Sequence, residues 1–146
     1  MLEMRFKSLG DLTDPRTGNR LDRRGVHACT LRAGTKWYGF LGSLAVPQRL
    51  LRLVGERDGK SCEAQVDSVR LTHIDQLQPE DYAMQCHPAW RTPEGAERGL
   101  IDVYGDSFGR IVTVVCFRVS HTNVIGVGGN THNVRCPDSE DFRRRC

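Results

Sequence analysis

The segment that decides the fold spans residues 49–74, RLLRLVGERDGKSCEAQVDSVRLTHI. Its apolar start, up to Val54, predicts a β-strand, and the residues at 56–59, ERDG, supply a turn that contains glycine. After this turn, apolar residues alternate with polar ones as far as Val66 and resume at Val69. The alternation predicts a second strand, and the slip in its phase predicts a β-bulge. The segment as a whole therefore predicts a β-hairpin.

The sequence after the hairpin adds two short helices and a further strand. One helix is predicted over 79–86, where proline and two acidic residues suit the first turn. A second is predicted over 92–104, with threonine at its start and Gly105 as its stop signal. The run IVTVVCFRV at 111–119 is the clearest strand, because valine and phenylalanine favour extended structure.

The sequence before the hairpin supplies loops and a short strand. Residues 8–24 are rich in Gly, Asp, Asn, Pro and Arg, and this composition predicts turns and a basic loop. GVHACTLR at 25–32 predicts a turn followed by a strand, and KWYGFL at 36–41 predicts a strand or a buried loop. Long helices do not alternate with the strands, which argues against a doubly wound parallel sheet. The predicted class is α+β, a small mixed β-barrel with two or three short helices.

Length and composition indicate one soluble domain. The chain has 146 residues, of which 38% are hydrophobic and 27% charged, and these values are ordinary for a folded protein. No stretch approaches the roughly 20 apolar residues that a membrane span requires. The first 18 residues carry charges where a signal peptide needs an apolar region. We therefore expect a cytoplasmic protein that does not contact the membrane.

Charge is distributed unevenly along the chain. Residues 1–60 hold 12 Lys and Arg against 6 Asp and Glu, a net charge of +6, and residues 61–146 hold 9 against 12, a net charge of −3. A basic half indicates an anionic partner such as nucleic acid. The alternative is a solvated surface whose charges are simply uneven.

Cysteine spacing predicts free thiols. The chain contains six cysteines without a CxxC pair, and without a signal peptide such a set indicates thiols rather than a disulfide framework. Cys116 lies in an apolar run and is expected to be a small core residue. His121, His132 and Cys136 lack the paired knuckle of a zinc site, so no metal is expected, and no cofactor.

The segment at 25–32 carries the polar residues of greatest interest. In a strand, Thr30 and Arg32 share one face. A hydroxyl and a guanidinium placed together could hold an anionic ligand or one with a carbonyl group. The alternative is a surface strand with solvated polar side chains.

This segment also resembles the signature of the ASCH domain family, a branch of the PUA-like folds. That signature is approximately G-x-K-x-x-T-x-R, and it is matched here by Gly25, His27, Thr30 and Arg32, with His27 in place of Lys. Three later stretches resemble the family as well: 74–85, 103–105 and 114–117. The resemblance covers about residues 4–119. It implies an ASCH domain over 1–119 and a partly flexible extension over 120–146.

What the resemblance implies is a PUA-like barrel with a cleft and a link to RNA. Some small bacterial members are amidohydrolases of acetylated cytidine, in which the motif Lys and Thr act with a Glu, and one member is a ribonuclease. Here the Lys is His27, and the Glu aligns at or near Gln85. A histidine can act as a base, but an amide cannot. We therefore expect binding of RNA or a modified nucleoside. The alternatives are a hydrolase that uses Thr30 and His27, and a protein-interaction module with a degenerate cleft.

The expected cleft combines motif residues with a basic and aromatic rim. His27, Thr30 and Arg32 line it, with Gln85 opposite. Arg23, Arg24 and Lys36 are expected to form its rim, and Gly25, Trp37 and Tyr38 are the other residues expected to bind the ligand. Aromatic residues near cations can stack nucleobases. The alternative for Trp37, which the sequence slightly favours, is that it fills the core, and Trp90 has the same two interpretations.

Overall fold

The computed structural model describes residues 1–122. Within them the chain forms five strands and three α-helices, joined by turns and short 3-10 helices. In chain order these are β1 (Leu2–Phe6), β2 (His27–Ala33), α1 (Lys36–Gly42), β3 (Leu50–Gly55), β4 (Ser61–His73), α2 (Pro79–Ala83), α3 (Pro93–Tyr104) and β5 (Ile111–Thr122). The class is α+β, as the sequence predicts.

The five strands form one curled sheet, a half-barrel. Their order is β1-β3-β4-β5-β2, so β1 and β2 are the edge strands. β1 runs parallel to β3, and the other neighbouring strands are antiparallel. The predicted hairpin is confirmed as β3 and β4.

The predicted bulge in β4 is confirmed as well. The register between β4 and β5 shifts between Val66 and Ser68. The shift returns Val69 to the side of the sheet that carries Val66, which explains why the apolar pattern of the sequence slips by one residue. A second shift lies between Glu63 and Ala64.

Each face of the sheet covers its own apolar cluster. The larger cluster includes Met4, Leu53 and Phe117. The second places Leu31 of β2 against Leu100 of α3. Alternate residues of β2 enter different clusters, as expected when side chains of a strand point to opposite faces.

The helix over 93–104 matches its prediction closely. The Thr92 hydroxyl accepts a hydrogen bond from the Gly95 N–H at 3.1 Å and caps the N-terminus. Gly105, at φ 87°, ends the helix in a conformation that favours glycine. The other predicted helix is present but ends at Ala83.

Two elements near the N-terminus differ from the sequence prediction. Residues 36–42 form the helix α1 rather than a strand or buried loop. Trp37 and Leu41 lie four residues apart and are both buried, which is the spacing of one helical face. β1 was not predicted, because it is a five-residue strand whose partner, β3, lies far along the chain.

The expectation of free thiols is wrong for two cysteines. Cys29 of β2 and Cys116 of β5 are directly opposite in the antiparallel pair, and the structure joins them in a disulfide. The bond follows from strand register, which the spacing of cysteines in the sequence does not reveal. Cys62 and Cys86 are free and buried.

The C-terminal boundary falls partly outside the described residues. β5 extends to Thr122, three residues past the expected end of the domain. The expected extension lies otherwise in residues 123–146, outside the part that the structure describes. In residues 1–122, no helix has both the length and the apolar character needed to cross a bilayer.

Candidate functional site

A cavity of about 630 Å³ lies between the edge strands of the half-barrel and α3. Five stretches of chain enclose it: the end of β1 with the loop after it, β2, the turn between β3 and β4, residues 86–90, and α3. Its volume is within the range typical of small-molecule sites. The cavity is therefore the candidate site.

Thr30 and Arg32 of β2 both line this cavity, as the alternation of the strand predicts. Thr30 is only 5% exposed, and its side chain is close enough to Cys86 to lower the pKa of that thiol. Burial raises the pKa of the Cys86 thiol to about 11, although the charge of Arg32 acts in the opposite direction. Cys86 is therefore a neutral thiol at physiological pH.

Arg32 links the two open edges of the sheet. Its Nη2 donates a 3.0 Å hydrogen bond to the carbonyl oxygen of Arg5 in β1. The guanidinium carbon lies 4.6 Å from the centre of the Phe6 ring, a cation–π contact. Its Nε is buried and has no hydrogen-bond partner among residues 1–122. Arg32 therefore stabilises the half-barrel and also places a positive charge beside the cavity.

His87 and Trp90 form an aromatic wall. Their ring centres are 5.9 Å apart, and the planes are tilted by 33°. The His87 Nδ1 accepts a hydrogen bond from the Ala89 N–H at 3.3 Å. This bond occupies the lone pair of Nδ1, so a neutral His87 carries its proton on Nε2.

The surroundings of His87 favour its neutral form. Burial lowers the pKa of the imidazole below its usual value. The carboxylate of Asp11 opposes this effect, whereas the positive charges of Arg91 and Lys7 add to it. His87 therefore presents an uncharged ring to the cavity near neutral pH.

Two glycines of α3 hold the wall in place. A Cβ atom at Gly99 would overlap the Trp90 indole, reaching 2.6 Å from Cζ2 and closer still to two other ring atoms. A Cβ atom at Gly95 would overlap the backbone of Ala89 in the same way. Residues 89–90 can approach the helix this closely only because neither Gly95 nor Gly99 has a side chain. Gly95 and Gly99 lie four residues apart and thus on one side of α3.

Charged side chains of both signs surround the opening. The positive ones among the lining residues are Arg5, Lys7, Arg32, Arg57 and Arg98, and the negative ones are Asp11, Glu56, Glu94 and Asp102. Arg5 and Glu56 form an ion pair at 2.5 Å. The remaining rim charges form no ion pair within the described residues. Apart from Arg32, which already contacts the Arg5 carbonyl and the Phe6 ring, they can pair with a ligand.

The Asp58 carboxylate fixes the loop wall of the cavity. It accepts hydrogen bonds from the Ser8 hydroxyl at 2.8 Å, the Gly10 N–H at 2.8 Å and the Lys60 N–H at 3.2 Å. Burial by itself raises the pKa of Asp58, but these hydrogen bonds outweigh it and leave the pKa below its usual value. The ionised form thus ties the loop after β1 to the turn between β3 and β4.

His27 and Gln85 do not join Thr30 and Arg32 in the cavity. His27 is three positions before Thr30, so its side chain is on the opposite face of β2, where Nε2 lies 3.0 Å from Oδ2 of Asp67. Gln85 is next to β2 through a bridge with Cys29, but it is 1% exposed. Its Nε2 donates to the carbonyl oxygen of Asp81 at 2.9 Å.

The residues expected at the rim, and the other expected binding residues, also lie elsewhere. Arg23, Arg24 and Gly25 are exposed and precede β2, and Lys36, Trp37 and Tyr38 belong to α1; none of these six lines the cavity. Trp37 is 4% exposed and packs in the core, which decides between its two interpretations. Tyr38 is 43% exposed on the outside of α1.

Sequence reasoning missed most of the actual walls. Lys7, Arg57, His87 and Arg98 come from four separate segments that meet only in the fold. Trp90 was considered, and the structure places it at the cavity. Within residues 1–122, no cluster of three or more His, Cys, Asp or Glu side chains is arranged to hold a metal ion.

Comparison with known proteins gives a single structural similarity to report. No family model matches the chain, and no curated protein matches it. The fold is similar to that of protein EF3133 from Enterococcus faecalis V583, of the family DUF984, with 13% sequence identity and a TM-score of 0.45. The match covers 85% of this chain and 84% of that one. At this level it assigns neither a family nor a function.

Proposed function

We propose that this chain is a PUA-like protein of the ASCH type that binds a nucleoside or nucleotide in the cavity between β2 and α3. The carrying observation is the combination of an indole wall, Trp90, with the motif residues Thr30 and Arg32 in one cavity of about 630 Å³. Nucleobases stack on exposed aromatic side chains. Hydroxyl and guanidinium groups supply the hydrogen bonds that orient a base or ribose.

The charges of the cavity favour a single nucleotide over a long strand. Its five cationic side chains face four carboxylates, so the net charge of the lining is small. Binding of a polyanion depends on many Lys and Arg side chains that neutralise its phosphates and release the counterions condensed on them. RNA is therefore the second ligand to test. It would bind by placing one unpaired nucleotide in the cavity rather than by contacts along its backbone.

The same geometry favours binding over hydrolysis. A threonine nucleophile needs a base within hydrogen-bond reach. His27 is on the other face of β2 and His87 has its Nδ1 lone pair engaged by Ala89. The titratable group beside Thr30 is the Cys86 thiol, and burial raises its pKa to about 11, so that it is already protonated at neutral pH and cannot take the threonine proton.

Calorimetric titration with nucleosides, nucleoside monophosphates and short single-stranded RNA tests the proposal. We expect one site, and Trp90→Ala should weaken binding by roughly 5- to 150-fold, the range for loss of a stacked base. Tyr38→Ala removes an exposed aromatic residue outside the cavity and serves as the matched control.

A second pair of variants tests the location. Replacement of Lys7 and Arg57 by alanine should weaken binding of phosphate-bearing ligands, because both cations line the cavity. Replacement of Arg23 and Arg24, which lie outside it, should not. If no ligand of the panel binds, or if Arg23 and Arg24 matter as much as Lys7 and Arg57, the proposal is wrong.

A further inference from the structure

Different walls of the cavity carry net charges of opposite sign. The α3 wall carries two carboxylates and one cation, namely Glu94, Asp102 and Arg98, a net charge of −1. The facing loops carry Lys7, Arg57 and Asp11 beside the neutralised Arg5–Glu56 pair, a net charge of +1, and Arg32 of β2 adds a further positive charge. A ligand that is complementary to both walls has a negative and a positive end.

The negative wall lies beside the indole. Glu94, Arg98 and Asp102 are four residues apart and form one stripe of α3, next to Gly99, on which Trp90 is seated. With a rise of 1.5 Å per residue, Glu94 lies about 7.5 Å and Asp102 about 4.5 Å from Gly99 along the helix axis. The two carboxylates thus lie on either side of Gly99 along the helix, with the single cation of the stripe, Arg98, between them and about 1.5 Å from Gly99 along the axis.

We propose that the ligand is a nucleotide whose base carries a positive charge, stacked on Trp90 with its phosphate at Lys7 and Arg57. A cation over an indole face is attracted by the ring quadrupole, and the α3 stripe adds to this attraction because its two carboxylates outnumber its one cation, Arg98. A neutral base gains only the stacking. The proposal rests on the proposed function, since it assigns the charge of the base that occupies the same cavity.

Two methylated forms of adenosine 5′-monophosphate allow the effect of the charge of the base on affinity to be measured. In 1-methyladenosine 5′-monophosphate the base is protonated and cationic at neutral pH, whereas in N6-methyladenosine 5′-monophosphate it is neutral; the two differ only in the position of the methyl group and in that proton. Calorimetric titration of the wild-type protein with each isomer at pH 7 compares them directly. The cationic isomer is expected to bind about tenfold more tightly, the preference that a partly desolvated cation–π contact produces.

Carboxylate variants identify the origin of that preference. Glu94→Gln with Asp102→Asn should reduce the preference to less than threefold while the neutral isomer still binds. Glu80→Gln with Asp106→Asn, two exposed residues outside the cavity, should leave it unchanged. Circular dichroism of each variant establishes that it is folded.

The outcomes separate this inference from the proposed function. If neither isomer binds the wild-type protein, the proposed function fails and the inference fails with it. If both bind equally, or the neutral isomer binds more tightly, the cavity is a nucleotide site but the charge assignment is wrong. If the variant with Glu94→Gln and Asp102→Asn keeps the full preference for the cationic isomer, the role given to the α3 wall is wrong.

Discussion

The Cys29–Cys116 disulfide should contribute several kcal/mol to the free energy of unfolding. The bond joins residues separated by 87 positions, so it closes a long loop in the unfolded chain. In the chain-entropy model a loop of this length loses about 15 cal/mol/K, which corresponds to about 4.6 kcal/mol at 25 °C. Reduction leaves the pairing of β2 with β5 in place, so the effect falls mainly on the unfolded state.

Urea denaturation with and without a phosphine reductant measures this contribution. For an unfolding m-value of about 2 kcal/mol/M, the midpoint should fall by about 2 M on reduction. The variant with Cys29→Ala and Cys116→Ala should have one midpoint under both conditions, which controls for effects of the reductant elsewhere. Mass spectrometry of a non-reduced digest should contain the linked peptides.

Two results would refute this reasoning. If alkylation before digestion labels both Cys29 and Cys116, the bond does not form in solution. If the bond is present but reduction leaves the urea midpoint unchanged, it does not constrain the unfolded chain as the loop length requires.

Three further predictions concern packing and pH. Gly99→Ala should lower the free energy of unfolding by about 1–3 kcal/mol in urea denaturation and change the Trp90 fluorescence, because the new methyl group overlaps the ring; Gly39→Ala, whose Cβ meets nothing within 4 Å in α1, should raise stability by up to about 1 kcal/mol. Arg32→Met keeps the stem but loses the hydrogen bond between the edge strands, and should cost about 1.5–3 kcal/mol in the same assay. The pKa of Asp58 is lower in the folded protein, so its contribution to stability is present above the unfolded carboxyl pKa and is lost as pH falls through the acid range; Asp58→Asn should remove this part of the pH dependence of thermal unfolding. An unchanged pH profile in that variant would contradict the assigned role.

The parts of the fold that sequence patterns predict are local. The hairpin of β3 and β4, its bulge after Val66, and the helix that begins after Thr92 each leave a mark within a few neighbouring residues. β1 leaves no such mark, because a parallel partner lies far away in the chain. The Cys29–Cys116 bond is also set by strand register rather than by spacing.

The candidate site is predictable only in part for the same reason. The alternation of β2 places Thr30 and Arg32 together, and the structure confirms that both line one cavity. The same alternation sends His27 to the opposite face, a consequence that the motif resemblance obscured. Trp90 reaches the cavity because glycines of α3 let its loop approach the helix, and Arg98 lines the same cavity from α3. Neither position can be read from a single segment of the sequence.

The most direct test of the central claim uses the two tryptophans of the chain as internal probe and control. Trp90 lines the cavity and Trp37 is buried in the core, and their indole N–H groups give separate signals in a proton–nitrogen correlation spectrum. Addition of 1-methyladenosine 5′-monophosphate should shift the Trp90 signal in a saturable manner and leave the Trp37 signal in place. A Trp90 signal that stays unmoved with this nucleotide and also with N6-methyladenosine 5′-monophosphate, or equal shifts of both tryptophan signals, would contradict nucleotide binding in this cavity.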